Sequence, residues 1–229
     1  DTATTEIYTL SLHDALPSHS QKYLNDLIVR KGNGMIKVIT GIRRCGKTYL
    51  VFELFVRHLL GAGVPRERII TLALDDRANA CYRDPDVLYE YLLGRIGDGG
   101  EPCYLLLDEI QYAMSVSELR GKDEPPALYG VLNGLLRRRN VDVYVTGSNS
   151  RLLSTDVMTE FRGRGDEVRI HPLSFAEFMR GFEGDRYEGW AEYMTYGGLP
   201  LTLSMRSPEQ KAAYLIGLFK DYGDRKSVV

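Results

Sequence analysis

The sequence has few cysteines, no long apolar run and almost no net charge, and each absence excludes a class of protein. Its three cysteines, Cys45, Cys81 and Cys103, are scattered and odd in number, which indicates free thiols rather than a disulfide framework or a zinc site. No segment approaches the roughly 20 apolar residues of a membrane-spanning helix. The net charge of −2 gives no overall attraction to nucleic acid or membrane, so such partners would need a local basic patch. We therefore expect a cytoplasmic protein.

The two ends of the sequence resemble translated DNA adapter rather than protein. His13–Pro17 and Asp224–Val229 correspond to the two strands of one short oligonucleotide that is widely used in DNA sequencing. An ordinary disordered tail is the alternative. We expect native sequence from Ser18 to Gly223, with residues 1–17 and 224–229 derived from the adapter.

Strand-like and helix-like segments alternate along the middle of the chain. Short apolar runs typical of buried strands are separated by helical patterns of about 10–15 residues, which predicts an α/β fold with a parallel, doubly wound sheet. The predicted strands are Met35–Thr40, Arg68–Leu74, Tyr104–Leu107, Val141–Thr146 and Val168–Ile170. The predicted helices are Lys22–Arg30, Thr48–Leu60, Asp84–Ile96 and Leu128–Arg138.

The pattern changes near Leu173, after which only helical segments follow. Ser174 and Glu177 have the spacing of a capping box, which predicts the start of a helix. We therefore expect a core domain over residues 18–173 and a partial helical lid over residues 174–223.

One segment matches a phosphate-binding loop, and it lies between a predicted strand and a predicted helix. Residues Gly41–Thr48 read GIRRCGKT, which fits G-x-x-x-x-G-K-[ST]; a chance glycine-rich turn is the alternative. In such loops backbone N–H groups point at phosphate oxygens, and the helix N-terminus adds positive charge. Lys47 is expected to reach the β- and γ-phosphates and Thr48 to ligate Mg²⁺. The expected nucleotide contacts are Gly41, Ile42, Arg43, Arg44, Cys45, Gly46, Lys47, Thr48 and Tyr49.

The predicted strand Tyr104–Leu107 is followed by two adjacent acidic residues, Asp108 and Glu109. Ligands of parallel α/β sheets bind at the carboxyl ends of the strands. We expect Asp108 to hold Mg²⁺ with Thr48, and Glu109 to orient and polarise the attacking water. Acidic residues often follow strands without such a role, but the phosphate loop upstream favours the catalytic interpretation.

Polar and basic residues near the fourth and fifth strands complete the catalytic candidates. Ser148 and Asn149 follow the fourth strand, where either is placed to contact the γ-phosphate or the water; a turn capping the next helix is the alternative. Arg162 and Arg164 have the charge and planar donors of an arginine finger, although local salt bridges explain them equally well. The run Arg137–Arg139 is interpreted as a solvated helix end rather than a nucleic-acid contact. No N-K-x-D sequence follows the fourth strand, which disfavours the common GTPases.

Together these motifs resemble the AAA+ superfamily of P-loop ATPases, in particular a prokaryotic group of stand-alone members. The resemblance covers Gln21–Gly223, and the matching segments are Thr40–Thr48, Leu107–Gln111, Val145–Ser150, Phe161–Gly165, Pro172–Phe178 and Tyr196–Pro200. It implies strand order 5-1-4-3-2, ATP rather than GTP, and Asn149 as the γ-phosphate sensor. It also implies a further C-terminal domain, which in this group is often given a nuclease-like or nucleic-acid-associated assignment. Self-association is a separate expectation.

The sequence thus predicts a core that binds and hydrolyses ATP with Mg²⁺ and so drives or switches a partner protein or a further domain. Two alternatives stay open: a nucleotide-dependent switch with little turnover, and an ATPase coupled to nucleic acid. A small-molecule phosphotransferase is less well supported, because no acceptor-binding segment is evident.

Overall fold

The computed structural model describes residues 17–97, 99–115, 118, 126–148 and 163–226, with side chains described between residues 20 and 220. Two of the predicted site residues, Asn149 and Arg162, lie outside these ranges. The chain divides into two compact units. We call Tyr23–Ile170 the sheet unit, and His171–Val229 together with Asp1–Lys22 the helical unit. No helix among the described residues is long and apolar enough to span a membrane.

A five-stranded parallel sheet forms the centre of the sheet unit. Its strands are β1 (Ile36–Gly41), β2 (Ile69–Ala73), β3 (Cys103–Asp108), β4 (Val141–Thr146) and β5 (Gly165–Ile170). They lie in the order β2-β3-β4-β1-β5, which confirms the predicted doubly wound α/β fold and the strand order 5-1-4-3-2. β5 begins earlier than its predicted start at Val168, because its pairing with β1 already begins at Gly165 opposite Ile36.

Helices connect the first four strands. Among the described residues of 17–148, α1 (Pro17–Val29) precedes β1, and α2, α3 (Pro85–Ile96) and α4 (Ala127–Leu135) follow β1, β2 and β3 in turn. Helix α2 consists of α-helical Lys47–Tyr49, π-helical Leu50–Phe55 and α-helical Val56–Gly61. Short 3-10 helices lie at Arg66–Arg68, Arg77–Arg83 and Ile110–Ala113. Helix α3 is capped by Asp84, which accepts hydrogen bonds from the backbone N–H groups of Asp86 (3.0 Å) and Val87 (3.1 Å).

Alternate residues of each central strand enter two separate apolar cores, one on each face of the sheet. On β3, Leu105 and Leu107 belong to the core beside α3 and α4, whereas Tyr104 and Leu106 belong to the core beside α1 and α2. All of β3 is buried, as expected for a parallel strand covered on both faces. Asp108, at the carboxyl end of this strand, is therefore attached to a rigidly packed element.

A buried ion pair lies toward the amino end of the sheet. Lys37 on β1 is fully buried, and its Nζ donates to the Asp142 carboxylate on β4 and to the Met35 carbonyl oxygen (3.0 Å). Asp142 also accepts hydrogen bonds from the Tyr144 hydroxyl and the Gly32 amide, both at 2.9 Å. Because both charged groups have several partners, the pair is tolerated inside the sheet.

The described part of the helical unit after residue 170 is built from α5 (Phe175–Gly181), α6 (Arg186–Tyr196), α7 (Pro200–Ser204) and α8 (Pro208–Lys226). The predicted capping box is confirmed, because Ser174 and Glu177 each accept a hydrogen bond from the backbone of the other. Gly198 packs so closely that a Cβ there would overlap the carbonyl oxygen of Leu173. A glycine is therefore needed between α6 and α7.

The segments predicted to derive from an adapter are described only in part. Pro17 begins α1, and residues 224–226 continue α8. Residues 1–16 and 227–229 lie outside the described part of the chain, and the adapter origin stays a prediction.

Candidate nucleotide-binding site

The predicted phosphate loop leaves the carboxyl end of β1 and enters α2 through three residues with positive φ. They are Gly41 (149°), Arg44 (65°) and Gly46 (99°). At Gly41 a Cβ would also lie 2.5 Å from the Ile170 carbonyl oxygen and 2.8 Å from Cys45 Sγ, so only glycine fits. At Gly46 a Cβ would meet nothing within 4 Å, and the backbone conformation alone favours glycine. The two glycines of the motif are thus needed for different physical reasons.

Lys47 begins α2, and its ammonium group turns back over the loop. The residue is only 4% exposed, and Nζ donates hydrogen bonds to the carbonyl oxygens of Gly41 (3.0 Å) and Ile42 (3.1 Å). A positive charge is therefore held beside the N-terminus of a helix, and both features favour an anion. This arrangement fits the phosphate groups of a nucleotide.

The three cysteines are free thiols, as predicted. Cys45, inside the loop, is buried, and burial raises the pKa of its thiol although the Lys47 charge opposes the shift. A raised pKa keeps the thiol protonated and unreactive at neutral pH. Cys45 therefore serves as a packing residue below Gly41.

Thr48 and Asp108, the two predicted Mg²⁺ ligands, come into direct contact. The Thr48 hydroxyl donates a 2.7 Å hydrogen bond to Asp108 Oδ2, and the Thr146 hydroxyl donates to Oδ1. Burial raises the pKa of the Asp108 carboxyl above its usual range, while the two hydroxyl hydrogen bonds lower it in part. A carboxylate and a hydroxyl are hard oxygen ligands, which fit Mg²⁺ when phosphates and water supply the remainder. No larger group of metal-ligating His, Cys, Asp or Glu residues occurs in the described ranges.

Glu109 lies beside this pair in an unusual backbone conformation. Its φ of 52° and ψ of 51° are left-handed, and its N–H donates a 3.1 Å hydrogen bond to Thr146 Oγ1. Its carboxylate oxygen Oε2 accepts hydrogen bonds from Ser148 Oγ (2.9 Å) and from Gln111 Nε2. Ser148, one of the two candidates after β4, is thereby joined to the predicted water-orienting carboxylate.

The remaining predicted residues lie in two different places. Ile42, Arg43, Arg44 and Tyr49 belong to the loop and the first turn of α2. Arg164 directly precedes β5, and its carbonyl oxygen accepts a hydrogen bond from the Ile36 amide (2.8 Å) at the start of β1. The backbone of Arg164 is therefore at the opposite end of the sheet from the phosphate loop. It does not join the cluster of Lys47, Thr48, Asp108 and Glu109.

Two residues outside the predicted set take part in the site. Thr146, the last residue of β4, is fully buried and joins Asp108 to the backbone of Glu109. The signal for Thr146 is a hydroxyl at the carboxyl end of a strand that lies between β1 and β3. Gln111 ends the segment Leu107–Gln111 that resembles the AAA+ group, but its contact with Glu109 depends on the turn at that residue.

A family described as AAA domain matches residues 33–179 of the chain. The match runs from the turn before β1 into α5, and it includes the phosphate loop, the acidic pair and all five strands. This chain belongs to the AAA domain family. It is therefore a nucleotide-binding P-loop module, and the predicted resemblance to the AAA+ superfamily is confirmed.

Two relatives of this AAA domain protein each carry the name of an uncharacterized protein. A Haemophilus influenzae protein is 30% identical over 204 residues, which are 87% of this chain and 48% of that protein. A Methanocaldococcus jannaschii protein is 30% identical over 162 residues, which are 68% of this chain and 30% of that protein. The chain thus spans about half of the first relative and less than a third of the second.

Solved structures with a similar backbone include two proteins with low sequence identity. AMPPCP-bound DnaA from Aquifex aeolicus has a TM-score of 0.47 and 17% identity, over 86% of this chain and 58% of that chain. PCH-2 from C. elegans has a TM-score of 0.43 and 16% identity, over 74% of this chain and 42% of that chain. Both TM-scores are below 0.5, so the fold assignment rests on the sheet order and the family match.

Proposed function

We propose that this AAA domain protein binds ATP with Mg²⁺, hydrolyses it, and thereby drives or switches a partner protein or a further domain. The observation that carries the proposal is the 2.7 Å hydrogen bond between the Thr48 hydroxyl and Asp108. Lys47 directly precedes Thr48 in the chain, and Glu109 directly follows Asp108. These groups come from two separate segments of the chain, which follow β1 and end β3, and both lie at the carboxyl ends of the strands. Together they supply a cation, a metal-binding pair and a base.

Each group has its own part in the proposed reaction. Lys47 and the loop N–H groups compensate the negative charge of the β- and γ-phosphates. Thr48 and Asp108 would hold Mg²⁺, which when bound neutralises charge on the phosphate oxygens. Glu109 orients the attacking water and accepts its proton through the carboxylate.

Further roles follow for the residues near β4 and β5. Asn149 is proposed as the sensor of the γ-phosphate, and Arg162 or Arg164 as an arginine finger. Because Arg164 lies at the opposite end of the sheet from its own phosphate loop, it would act on the site of a neighbouring copy. The partner that responds to the nucleotide is proposed to be a separate protein or a further domain, since both relatives are longer than the matched region.

Steady-state phosphate release with ATP and Mg²⁺ tests the proposal. Wild-type protein should turn over, and Glu109→Gln should bind a fluorescent ATP analogue normally but hydrolyse ATP about 100-fold more slowly or worse. Lys47→Ala should lose binding, because the phosphates lose their cation. Glu53→Gln is the matched control: Glu53 is half exposed on α2, pairs with Arg57 at 3.3 Å, and should keep full activity.

Two other results would redirect the proposal. Tight ATP binding with negligible turnover in both wild type and Glu109→Gln would identify a binding switch instead. Turnover that rises with added DNA or RNA, and loses this rise at high salt, would support the nucleic-acid-coupled alternative.

A further inference from the structure

The carboxylate of Glu109 is held by two side chains whose donors meet at one oxygen. Ser148 Oγ donates to Oε2 at 2.9 Å, and Gln111 Nε2 donates both to Oε2 and to Ser148 Oγ (3.3 Å). Within the described ranges no residue donates a hydrogen bond to the other oxygen, Oε1. The carboxylate is thus fixed through one oxygen and keeps the other as an acceptor.

The backbone at Glu109 explains how Gln111 reaches this carboxylate. The left-handed conformation of Glu109 is followed at once by the 3-10 helix Ile110–Ala113, whose first and last residues are buried. The bond from the Glu109 N–H to Thr146 Oγ1 fixes the start of this turn. The sharp turn returns the Gln111 side chain to the residue two positions before it.

The orientation of the Gln111 amide follows from the negative charge of Glu109. Its Oε1 is buried and has no hydrogen-bond partner among the described residues. Rotating the amide by half a turn would place this carbonyl oxygen against Glu109 Oε2, so that two acceptors would face each other. The amide nitrogen therefore faces the carboxylate, and Gln111 acts there only as a donor.

We infer that Gln111 is a positioning residue that, with Ser148, holds Glu109 Oε2 and leaves Oε1 to accept the proton of the attacking water. The inference rests on the proposed ATP hydrolysis. Gln111 acts through Glu109 and does not contact the nucleotide. Loss of the Gln111 amide frees the Glu109 carboxylate to rotate away from the water. We therefore expect this loss to lower kcat without changing the Kd for ATP.

Three variants test this role. Gln111→Met removes the donor at similar length, Gln111→Glu replaces the donor with a negative charge, and Ser148→Ala removes the second donor. We expect kcat for phosphate release to fall about 10- to 100-fold in each, because small misplacements of a catalytic group cost this much. The Kd of a fluorescent ATP analogue should stay at the wild-type value in all three variants, and the thermal midpoint should do so in Gln111→Met and Ser148→Ala, which add no charge. Gln210→Met, in the exposed first turn of α8, is the matched control and should keep full kcat.

The double variant Gln111→Met/Ser148→Ala tests whether both donors act on the same oxygen. Because the first loss already frees the carboxylate, the double variant should lose less than the product of the two single losses. If the fold-loss in kcat of the double variant equals the product of the two single losses, Gln111 and Ser148 do not act on the same oxygen and the inference is wrong. If Gln111→Met lowers the thermal midpoint, Ser148→Ala decides the result, since it deletes one hydroxyl only.

The kcat of Glu109→Gln distinguishes loss of the positioning role from loss of the proposed hydrolytic role of Glu109. Wild-type kcat in Gln111→Met and Ser148→Ala, with an inactive Glu109→Gln, would refute the positioning role and leave ATP hydrolysis intact. A fully active Glu109→Gln would refute the proposed hydrolytic role of Glu109 itself.

Discussion

At the scale of single residues, one hydroxyl group connects the two acidic residues of the site. Thr146 Oγ1 donates a hydrogen bond to Asp108 Oδ1 and accepts one from the Glu109 N–H. The side chain is fully buried, and both its donor and its acceptor are used, so its orientation is fixed. Strand β4 thereby sets the direction of Asp108 and the turn at Glu109 without adding a charge.

Replacing Thr146 with valine keeps the shape of the side chain and removes this hydroxyl. We expect ATP turnover to need about 10- to 100-fold more Mg²⁺, because partners of metal ligands contribute this much to metal affinity. Phosphate release measured across a Mg²⁺ titration checks the shift. Thr146→Ser keeps the hydroxyl and should resemble wild type. Wild-type Mg²⁺ dependence in the valine variant would contradict the role.

The burial of Asp108 predicts that its ionised carboxylate lowers the free energy of unfolding of the nucleotide-free protein, to an extent that depends on pH. Folding raises the pKa of this carboxyl, so its contribution to stability is most favourable below the unfolded pKa and is lost as pH rises through the folded pKa. Asp108→Asn does not titrate. At pH 7 we therefore expect the variant to have a higher free energy of unfolding than wild type, on the order of 1 kcal/mol.

Urea unfolding without nucleotide at pH 7 and at pH 4.5 measures this difference. The advantage of Asp108→Asn should shrink at the lower pH, where the wild-type carboxyl begins to be protonated. An advantage of equal size at both pH values would show that burial of the charge is not its cause.

At the scale of elements, the turn between α1 and β1 is held by acidic residues from both strands that flank β1. Asp142 on β4 accepts a hydrogen bond from the Gly32 amide (2.9 Å). Asp166 on β5 accepts hydrogen bonds from Arg30 Nε and Asn33 Nδ2, both at 2.9 Å. The strand that carries the phosphate loop is therefore fixed at its amino end by its two neighbours.

The buried pair of Lys37 and Asp142 offers a test of this anchoring. Lys37→Met leaves a buried carboxylate without its cation, which should lower the free energy of unfolding by about 3–5 kcal/mol. The double variant Lys37→Met/Asp142→Asn should recover part of the loss, because the neutral amide keeps an oxygen acceptor for Tyr144 and Gly32 and leaves no buried charge. Urea unfolding compares the two. A double variant no more stable than the single one would contradict this account.

At the scale of the whole molecule, nucleotide binding should appear as added stability. A ligand that binds only the folded state raises the free energy of unfolding by about 2.7 kcal/mol at 100 times its Kd. For a protein of this size we expect ATP with Mg²⁺ at that level to raise the thermal midpoint by about 5–10 °C. Thermal unfolding monitored by fluorescence checks the shift. Lys47→Ala should show none, and an equal shift in both proteins would place ATP binding elsewhere.

Much of the fold was predictable because its signals are local. The caps at Asp84 and Ser174 depend on neighbouring backbone N–H groups, and strand periodicity depends on burial of adjacent side chains. Element ends were less predictable, as at β5, because strand length is set by pairing with another strand. The position of Arg164 is likewise set by strand pairing: its motif places it among the catalytic candidates, whereas its backbone lies at the far end of the sheet from the loop.

The sequence by itself determined the phosphate loop and the acidic pair, because a tight loop of N–H groups requires glycines and a lysine at one spacing. Only the tertiary structure decided how these groups are held. The roles of Thr146, Gln111 and Lys37 depend on which strands are neighbours and on a left-handed turn at one glutamate. Contacts across strands join residues that are distant in the chain, so the sequence around either residue does not predict them.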